Sequence, residues 1–197
     1  MKKIIAIISV LAALGIYVTL GGAASFAVGK STLSARSMDL DAESIVAKGN
    51  ASLAIPSSTS LEIGQMRLES MTAQAITIHL QSGKGQKMSM KDAIATGGVV
   101  IRGKRADKDT DAAGKPVRIV RDIYAKAQTA SMPESQDVVK LTGDVLVKIT
   151  EPGMADPVAT VSGEVVTISL KDGKIHIEGQ DNKPAEFSVT PKGGGKK

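Results

Sequence analysis

The chain has 197 residues, two Tyr, two Phe, no Trp and no Cys, which excludes a disulfide framework, a thiolate metal site and a cysteine nucleophile. Its formal net charge of +5 comes from 25 Lys and Arg against 20 Asp and Glu, and lysines at the two ends account for the whole excess. These lysines are Lys2, Lys3, Lys192, Lys196 and Lys197. Because the body between them is neutral and nearly free of rings, it lacks the basic, aromatic groove of a nucleic-acid binder. No nucleic-acid partner is expected.

The first 29 residues predict an export segment. Two lysines precede the apolar run 4–20, and the small residues 21–27 allow cleavage after Ala24 or Ala27. The apolar stretch 4–29 is also long enough for a membrane-spanning helix, which takes about 20 residues. The segment is therefore either a cleaved signal peptide or a retained N-terminal anchor. In both cases the rest of the chain leaves the cytoplasm, because the positive residues stay inside.

From Ser31 onward the apolar residues recur with a period of two, which predicts antiparallel strands with one buried face. In the stretch 74–81, for example, Ile76, Ile78 and Leu80 alternate with polar residues. The Asp-Gly pair within residues 171–174 predicts a tight hairpin turn. Further breaks are expected at 56–60, 82–86, 106–116, 132–136 and 151–157, since these segments are rich in Gly, Pro, Ser or charge.

No helix is predicted beyond the leader. The sequence thus predicts a single all-β domain over residues 30–190, which is a usual length for one sandwich or barrel. A flexible tail rich in Gly and Lys, residues 191–197, follows it.

Four β-ribbon units recur along the domain, and the clearest is DVVKLTGDVLVKI at residues 137–149. A landmark glycine marks each unit, with roughly 35 to 50 residues between successive ones, which is typical of repeated supersecondary units. Within the clearest unit an interior glycine predicts a bulge or bend, since glycine weakens a straight strand. The landmark glycines are Gly49, Gly97, Gly143 and Gly179.

Catalytic chemistry has little support in the pattern. His79 and His176 each lie between apolar strand residues, so the alternation that points Ile78 and Ile177 inward points both imidazoles outward. A triad needs a base that faces a nucleophile, and a zinc site needs ligands that converge on one point. The protein is therefore not expected to be an enzyme, and no catalytic, cofactor or metal residue is assigned.

The longest polar break, residues 104–115, carries three alternating aspartates beginning at Asp107. This spacing suggests a calcium loop, but the sixth and twelfth positions of an EF-hand require Gly and Glu. Ala112 and Arg118 occupy those positions here. A solvated loop is therefore the favoured interpretation.

Two segments, 125–149 and 159–189, resemble the OstA-like domain of the LptA-like bridge proteins of lipopolysaccharide transport. Residues 35–53 resemble a shorter first copy, whereas residues 57–121 match the family pattern loosely. The LptC-like relative, which is anchored in the membrane, is the second choice within the same pathway. The residues that carry the resemblance are Ala125, Ala127, Leu141, Thr142, Gly143, Asp144, Val145, Gly163 and Gly179.

The resemblance implies an open, twisted, antiparallel β-jellyroll that is preceded by an N-terminal apolar helix. Family members shield the acyl chains of lipopolysaccharide in an apolar groove and pass them toward the outer membrane. Their partners are other jellyroll proteins, joined end to end by strand pairing, and a head-to-tail homo-oligomer is one such assembly. The domain would then lie in the periplasm after signal cleavage, or be anchored in the inner membrane by residues 4–29.

An apolar interior suits this role, because each buried methylene contributes about 0.8 kcal/mol with little geometric specificity. The alternation alone is equally compatible with a closed core, and hence with an exported structural or adhesive β-repeat protein that binds no ligand. The basic stretch 102–126 has two interpretations. It could lie near lipid phosphates through charge attraction, or it could form a solvated edge of the sheet. The residues expected to line a lipid groove are Ile76, Ile78, Leu80, Val99, Ile101, Val139, Leu141, Val145, Val147, Ile149, Val166, Ile168, Leu170, Ile175 and Ile177.

Overall fold

The structure is a computed structural model that describes residues 16–18, 24–28, 31–41, 43–56, 60–82, 88–111, 113–133, 135, 137–179 and 184–189. These residues form twelve strands and no helix, so the all-β prediction is confirmed. In chain order the strands are β1 Ile16–Val18, β2 Ala24–Val28, β3 Ser31–Ala35, β4 Ser37–Leu40, β5 Ser44–Ala54, β6 Met66–Ser82, β7 Met88–Thr110, β8 Pro116–Pro133, β9 Val138–Thr150, β10 Ala159–Ser169, β11 Ile175–Glu178 and β12 Glu186–Val189.

All twelve strands belong to one antiparallel sheet. From β5 to β11 each strand pairs with the next strand in the sequence, and β3, β2 and β1 extend the sheet beyond β5. Two strands, β5 and β10, each pair with two different short strands along the same side. Residues 44–48 of β5 pair with β4 and residues 52–54 pair with β3, while residues 159–162 of β10 pair with β12 and residues 165–168 pair with β11.

A line of backbone irregularities crosses the sheet at the level where these outer partners change. On β5, β7 and β9 it consists of two consecutive residues with positive φ, and the pairing register of the intervening strands shifts at the same level. Because a bulge bends its strand and increases the local twist, the whole sheet bends along this line, which we call the crease. The positive-φ pairs are Gly49-Asn50, Gly97-Gly98 and Gly143-Asp144.

Two glycines of the crease fit closely against glutamines on the neighbouring strands. A Cβ atom at Gly97 would lie 2.8 Å from the Cβ of Gln74, and one at Gly143 would lie 2.8 Å from the Cβ of Gln128. Their φ angles are +80° and +83°, a conformation that costs glycine little and other residues more. Both the space and the backbone therefore require glycine.

Three of the four landmark glycines lie at the crease. Gly49, Gly97 and Gly143 are crease residues, whereas Gly179 follows the end of β11. On β10 the register instead shifts between Gly163 and Val165. The repeated unit is thus a strand that crosses the crease, and the prediction that Gly143 marks a bulge is confirmed.

The crease divides the sheet into two half-sheets whose inner faces pack against each other. Buried residues from both sides belong to one apolar cluster, in which Ile78 and Leu141 come from one half-sheet and Met71 and Val147 from the other. The arrangement is an open roll with an apolar interior, as expected for a jellyroll. The upper half-sheet comprises residues 37–40, 44–48, 75–82, 88–96, 129–133, 138–142, 165–169 and 175–178, and the lower one comprises 24–28, 31–35, 51–54, 66–72, 99–110, 116–126, 145–150, 159–162 and 186–189.

The helix predicted for the leader is not confirmed. Of residues 1–29, the structure describes 16–18 and 24–28, and both segments are strands. β2 pairs along β3 with Phe26 opposite Leu33, and both side chains are buried in the apolar cluster. The remaining leader residues lie outside the described residues. Among the described residues no helix is long and apolar enough to cross a membrane.

The polar loop predicted at residues 104–115 is wrong for most of its length. β7 continues to Thr110 and β8 begins at Pro116, so a short turn joins two long paired strands. Several of the charges that suggested a loop have partners on β8. Arg121 contacts Asp107 at 2.9 Å and Asp109 at 3.2 Å, and it contacts Glu151, just after β9, at 3.4 Å.

The other predicted breaks agree with the structure to different degrees. The segment 151–157 and the turn 171–174 fall between strands as expected. β8 extends through Pro133, into the break predicted at 132–136. Residues 57–59 and 83–87 lie outside the described residues.

Candidate functional site

The residues expected to line a groove all lie on the inner faces of the roll. Leu170, Ile175 and Ile177 are partly buried and pack against the apolar cluster, while the others are buried. Their burial follows from the predicted alternation. Whether they contact a lipid remains a prediction. The buried ones are Ile76, Ile78, Leu80, Val99, Ile101, Val139, Leu141, Val145, Val147, Ile149, Val166 and Ile168.

Several inner-face residues were not predicted. Residues 57–121 match the family pattern loosely, and this middle region supplies Met66, Leu68 and Met71 of β6. β7 and β8 contribute several small side chains to the inner face, alongside Val99 and Ile101 of β7 and Ile123 of β8. The same alternation could have identified these inner-face residues if it had been continued across the register shifts at the crease. The small side chains are Ala93, Ala95, Ala125, Ala127 and Ala130.

The interior has no polar component. Among the described residues no polar or charged side chain is buried. An apolar interior cannot hold a polar ligand, because a buried polar group without a hydrogen-bond partner is costly. It is chemically suited to hydrocarbon, which needs no directed partner.

The two half-sheets also contact each other at the strand ends that lie farthest from the crease, beyond the point where the pairing of β5 with β6 ends. The bond from Ile55 N–H to the Glu69 carbonyl, 2.9 Å, is the last between these strands. Beyond it the start of β6 has β7 on one side, and on the other side Met66 N–H donates to the carbonyl of Leu170 at 2.8 Å. This bond joins the lower half-sheet to the turn that follows β10 in the upper half-sheet.

A second close approach lies beside that bond. Gly173, in the turn between β10 and β11, packs so closely on the Gly64 carbonyl that a Cβ atom would collide with it. We call the junction of residues 64–68 with residues 170–173 the seam. It is where the two half-sheets approach each other on the side opposite the crease.

A cavity of about 330 Å³ lies at the seam, a volume within the range of ligand pockets, roughly 300–1,000 Å³. Residues of both half-sheets line it. Met66, Leu68 and Met132 are also members of the apolar cluster, so the floor of the cavity is continuous with the interior of the roll. Charged residues of both signs line the cavity as well, namely Arg67, Lys171 and Asp137.

A larger cavity, about 490 Å³, lies at the crease between β9, β10 and the segment that leads into β12. Its lining includes the carboxylates of Asp144, Glu164 and Glu186. These negative charges make it unsuitable for a phosphate-bearing lipid. Among the described residues no group of three or more His, Asp or Glu side chains is arranged to hold a metal ion.

The two histidines lie on the outer face, as predicted. His79 contacts Asp92 across the β6–β7 pair, with 2.5 Å between Nδ1 and Oδ1, and in register it is also opposite Ser44. The Ser44 hydroxyl donates to Asp41 at 2.8 Å, so it is directed at a carboxylate and not at the imidazole that a triad requires. His176 is exposed and lies 3.5 Å from Glu178.

The aspartates that suggested calcium have other partners. Asp107 and Asp109 contact Arg121, and Asp111 accepts the backbone N–H groups of Ala113 and Lys115 at 2.9 Å each. Asp107 and Asp109 therefore converge on a guanidinium, whereas Asp111 contacts the backbone of the turn. The solvated loop favoured from the sequence is wrong for two of these aspartates, because Asp107 and Asp109 lie on β7.

The basic stretch 102–126 is partly committed to structural contacts. Arg105 and Arg121 both contact Asp107, and Lys104 lies 3.6 Å from Asp122. Elsewhere in the stretch, Arg102 and Lys126 lie 5.6 Å and 5.9 Å from the centre of the Tyr124 ring. At these distances both cations make cation–π contacts with the ring, which stabilise the outer face of the sheet. A role of the basic stretch at lipid phosphates remains a prediction.

Comparison with known proteins identifies the fold. No protein-family model and no curated protein sequence matches the chain. Among solved structures it is similar to the crystal structure of LptH, the LptA homologous periplasmic component of the conserved lipopolysaccharide transport device from Pseudomonas aeruginosa. The similarity covers 82% of this chain and 95% of that chain, with a TM-score of 0.51 and 15% sequence identity.

The chain has the LptA-like fold. At this sequence identity the likeness concerns the arrangement of strands, and it confirms the resemblance to LptA-like proteins at the level of the fold. The OstA-like landmarks at Leu141–Val145 lie on β9 where it crosses the crease.

Proposed function

We propose that the protein is a non-catalytic lipid carrier. It shields the acyl chains of lipopolysaccharide between its two half-sheets and passes them across the periplasm toward the outer membrane. The single observation that carries the proposal is the inner surface, which is apolar throughout the described residues in a roll with the LptA-like fold. LptH, which shares that fold, is a periplasmic component of a lipopolysaccharide transport device.

The energetics favour hydrocarbon as the cargo. Each methylene that leaves water contributes about 0.8 kcal/mol, so ten methylenes of one acyl chain contribute on the order of 8 kcal/mol. Part of this is offset, because the inner faces already pack on each other and must separate to admit a chain. Small side chains such as Ala95 and Ala125 at the centre of β7 and β8 limit the number of contacts that this separation disrupts.

The C-terminal end of the roll supports transfer between protomers. Phe187 and Val189 of β12 are 64% and 59% exposed. They are opposite Val161 and Ala159 in register, and directly opposed residues of an antiparallel pair share a face. Because Val161 is buried, both exposed side chains extend the inner face to the edge strand. A second jellyroll paired at this edge would continue the apolar surface, in a head-to-tail homo-oligomer or with another bridge protein.

A periplasmic location and the absence of catalysis belong to the same proposal. They are supported by the LptA-like fold and by the outward position of both histidines, away from the apolar interior. Export by residues 1–29, as a cleaved signal or as an inner-membrane anchor, is the corresponding proposal for the N-terminus.

A structural or adhesive protein with a closed core is the second candidate. It is favoured by the complete burial of residues such as Ile78 and Leu141 at 0% exposure, since these side chains already have apolar neighbours. The two functions differ in lipid occupancy.

The test is the lipid content of protein purified from the periplasm of a cell that makes lipopolysaccharide. Native mass spectrometry should detect the protein with bound lipopolysaccharide, and mild delipidation followed by addition of purified lipopolysaccharide should restore the complex. Protein that carries no lipid and takes up none would refute the carrier proposal in favour of the closed-core alternative.

A further inference from the structure

The seam has a separate network of hydrogen bonds on each of its two sides. On the lower side, Gly64 N–H donates to the Ala106 carbonyl at 2.7 Å, and Ala106 N–H donates to the Gln65 carbonyl at 3.1 Å. Arg118 further holds the Leu61 carbonyl at 2.6 Å. The start of β6 is therefore fixed to β7 and β8.

The upper side consists of the turn between β10 and β11. Ser169 N–H donates to the Lys174 carbonyl at 2.9 Å, which closes the turn on itself, and Leu170 N–H donates to the Asp137 carbonyl at 2.7 Å. Across the seam, the bond from Met66 to Leu170 joins this turn to β6. The turn can therefore move away from β6 while the hydrogen bonds within each side remain intact.

The chemistry of the cavity selects a hydrocarbon chain as its occupant. Met66, Leu68, Met132 and Leu170 line it, and its floor is continuous with the apolar cluster. A peptide strand would need partners for its own backbone N–H and C=O groups, which these apolar side chains do not supply. An acyl chain needs no hydrogen bond. Lys171 offers positive charge to a phosphate-bearing head group, although Asp137 also lines the cavity and Arg67 contacts Glu69 at 3.4 Å.

We propose that the seam is the lateral portal through which acyl chains enter the roll. The turn that carries Leu170 moves away from Met66, a chain occupies the cavity between them, and it then slides between the half-sheets. This inference rests on the proposed carrier function and adds to it the place and direction of loading.

A disulfide across the seam tests the portal, and the absence of cysteine from the chain makes the test specific. Because Met66 N and Leu170 O are 2.8 Å apart, covalent geometry places the two Cα atoms within about 7 Å of each other. This is close to the upper limit of the span that a disulfide bridges. The variant is Met66→Cys/Leu170→Cys in the full-length protein, with purified lipopolysaccharide as the probe.

The matched control is Thr129→Cys/Thr142→Cys. These residues are opposite each other on β8 and β9, so their disulfide links two strands of the same half-sheet and leaves the seam free. We expect the oxidised seam variant to take up no lipopolysaccharide during the time in which its reduced form loads completely. The oxidised control should load like its own reduced form.

The outcomes separate the two proposals. Equal loading of the oxidised and reduced seam variants would overturn the portal and leave the carrier function standing, whereas no loading by any form, wild type included, would refute the carrier function. If the disulfide does not form, Leu170→Trp replaces it, since an indole at this partly buried position fills the cavity. Slower loading than in Leu170→Ala would support the portal, and equal rates would overturn it.

Discussion

Gly143 packs directly against Gln128, so that a Cβ atom at position 143 would lie 2.8 Å from the Cβ of the glutamine. The contact lies where β9 crosses the crease, and Gly97 has the same relationship to Gln74. The bend of the roll is therefore encoded by pairs in which a glycine on one strand accommodates a long side chain on the next. Because Gly143 has a φ of +83°, steric fit and backbone conformation contribute separately to the need for glycine.

The first prediction separates these two contributions. Gly143→Ala should lower the free energy of unfolding by about 2–4 kcal/mol, since it combines a left-handed alanine with a steric clash. Gly153→Ala is the matched control, because Gly153 has a φ of +81° and no atom within 4 Å of the added Cβ. It should cost about 1 kcal/mol. Urea denaturation of both variants measures the difference, and equal losses would show that the contact with Gln128 does not matter.

The second prediction concerns the inner face. Leu141→Ala should destabilise the protein by about 2–5 kcal/mol, because it removes a side chain with 0% exposure and leaves a cavity. Lys140→Ala, on the opposite face of the same strand, should change stability by less than about 0.5 kcal/mol. Thermal and chemical unfolding check both values. A small effect at Leu141 would mean that the interior is loosely packed.

The third prediction concerns the ion-pair cluster of the β7–β8 hairpin. Arg121→Met should lower stability by about 1–3 kcal/mol, since it removes charge-assisted hydrogen bonds and leaves Asp107, Asp109 and Glu151 without their shared cation. Lys108→Met, at an exposed position of the same hairpin, provides the control. Urea unfolding of both variants gives the comparison. If the two substitutions had equal effects, the cluster would be a solvated edge with no structural role.

The fourth prediction is a shift in pKa. The backbone N–H of Glu43, and after it the hydroxyl and N–H of Ser44, hold the pKa of the Asp41 carboxyl below its usual value. The stability that this carboxylate contributes is therefore present above the usual carboxyl pKa, and it is lost as the pH falls through the lower pKa of the folded state. An NMR titration of Asp41 should show a midpoint that rises in Ser44→Ala. An unchanged midpoint would exclude the hydroxyl as a cause.

The alternation of buried and exposed residues could be predicted from the sequence, because it depends only on neighbouring residues within one strand. On β9 the apolar residues Val139, Leu141, Val145, Val147 and Ile149 are all buried, as predicted, because alternation fixes which side chains share a face. The sequence pattern marks Gly49, Gly97 and Gly143 as the glycines of repeated units, and all three lie at the crease. Their shared role at one crease depends on pairing between strands, which no single segment contains.

Other features could not be predicted for the same reason. The hairpin formed by β7 and β8 looked like a loop because it is rich in charge. The partners of those charges lie on other segments, as Arg121 does for Asp107. The seam joins Met66 to Leu170, which are far apart in the sequence and linked through backbone atoms. Side-chain patterns carry no signal for such a contact.

Site-specific photo-crosslinking in cells tests the central claim most directly. A photoreactive amino acid at Ile78, Leu141 or Ile168, which are 0%, 0% and 2% exposed, should become covalently linked to lipopolysaccharide on irradiation. The same residue at the exposed position Lys140 should not. Inner-face labelling with an unlabelled outer face is the result that the carrier account predicts, whereas equal labelling at all four positions, or none at any, would contradict it.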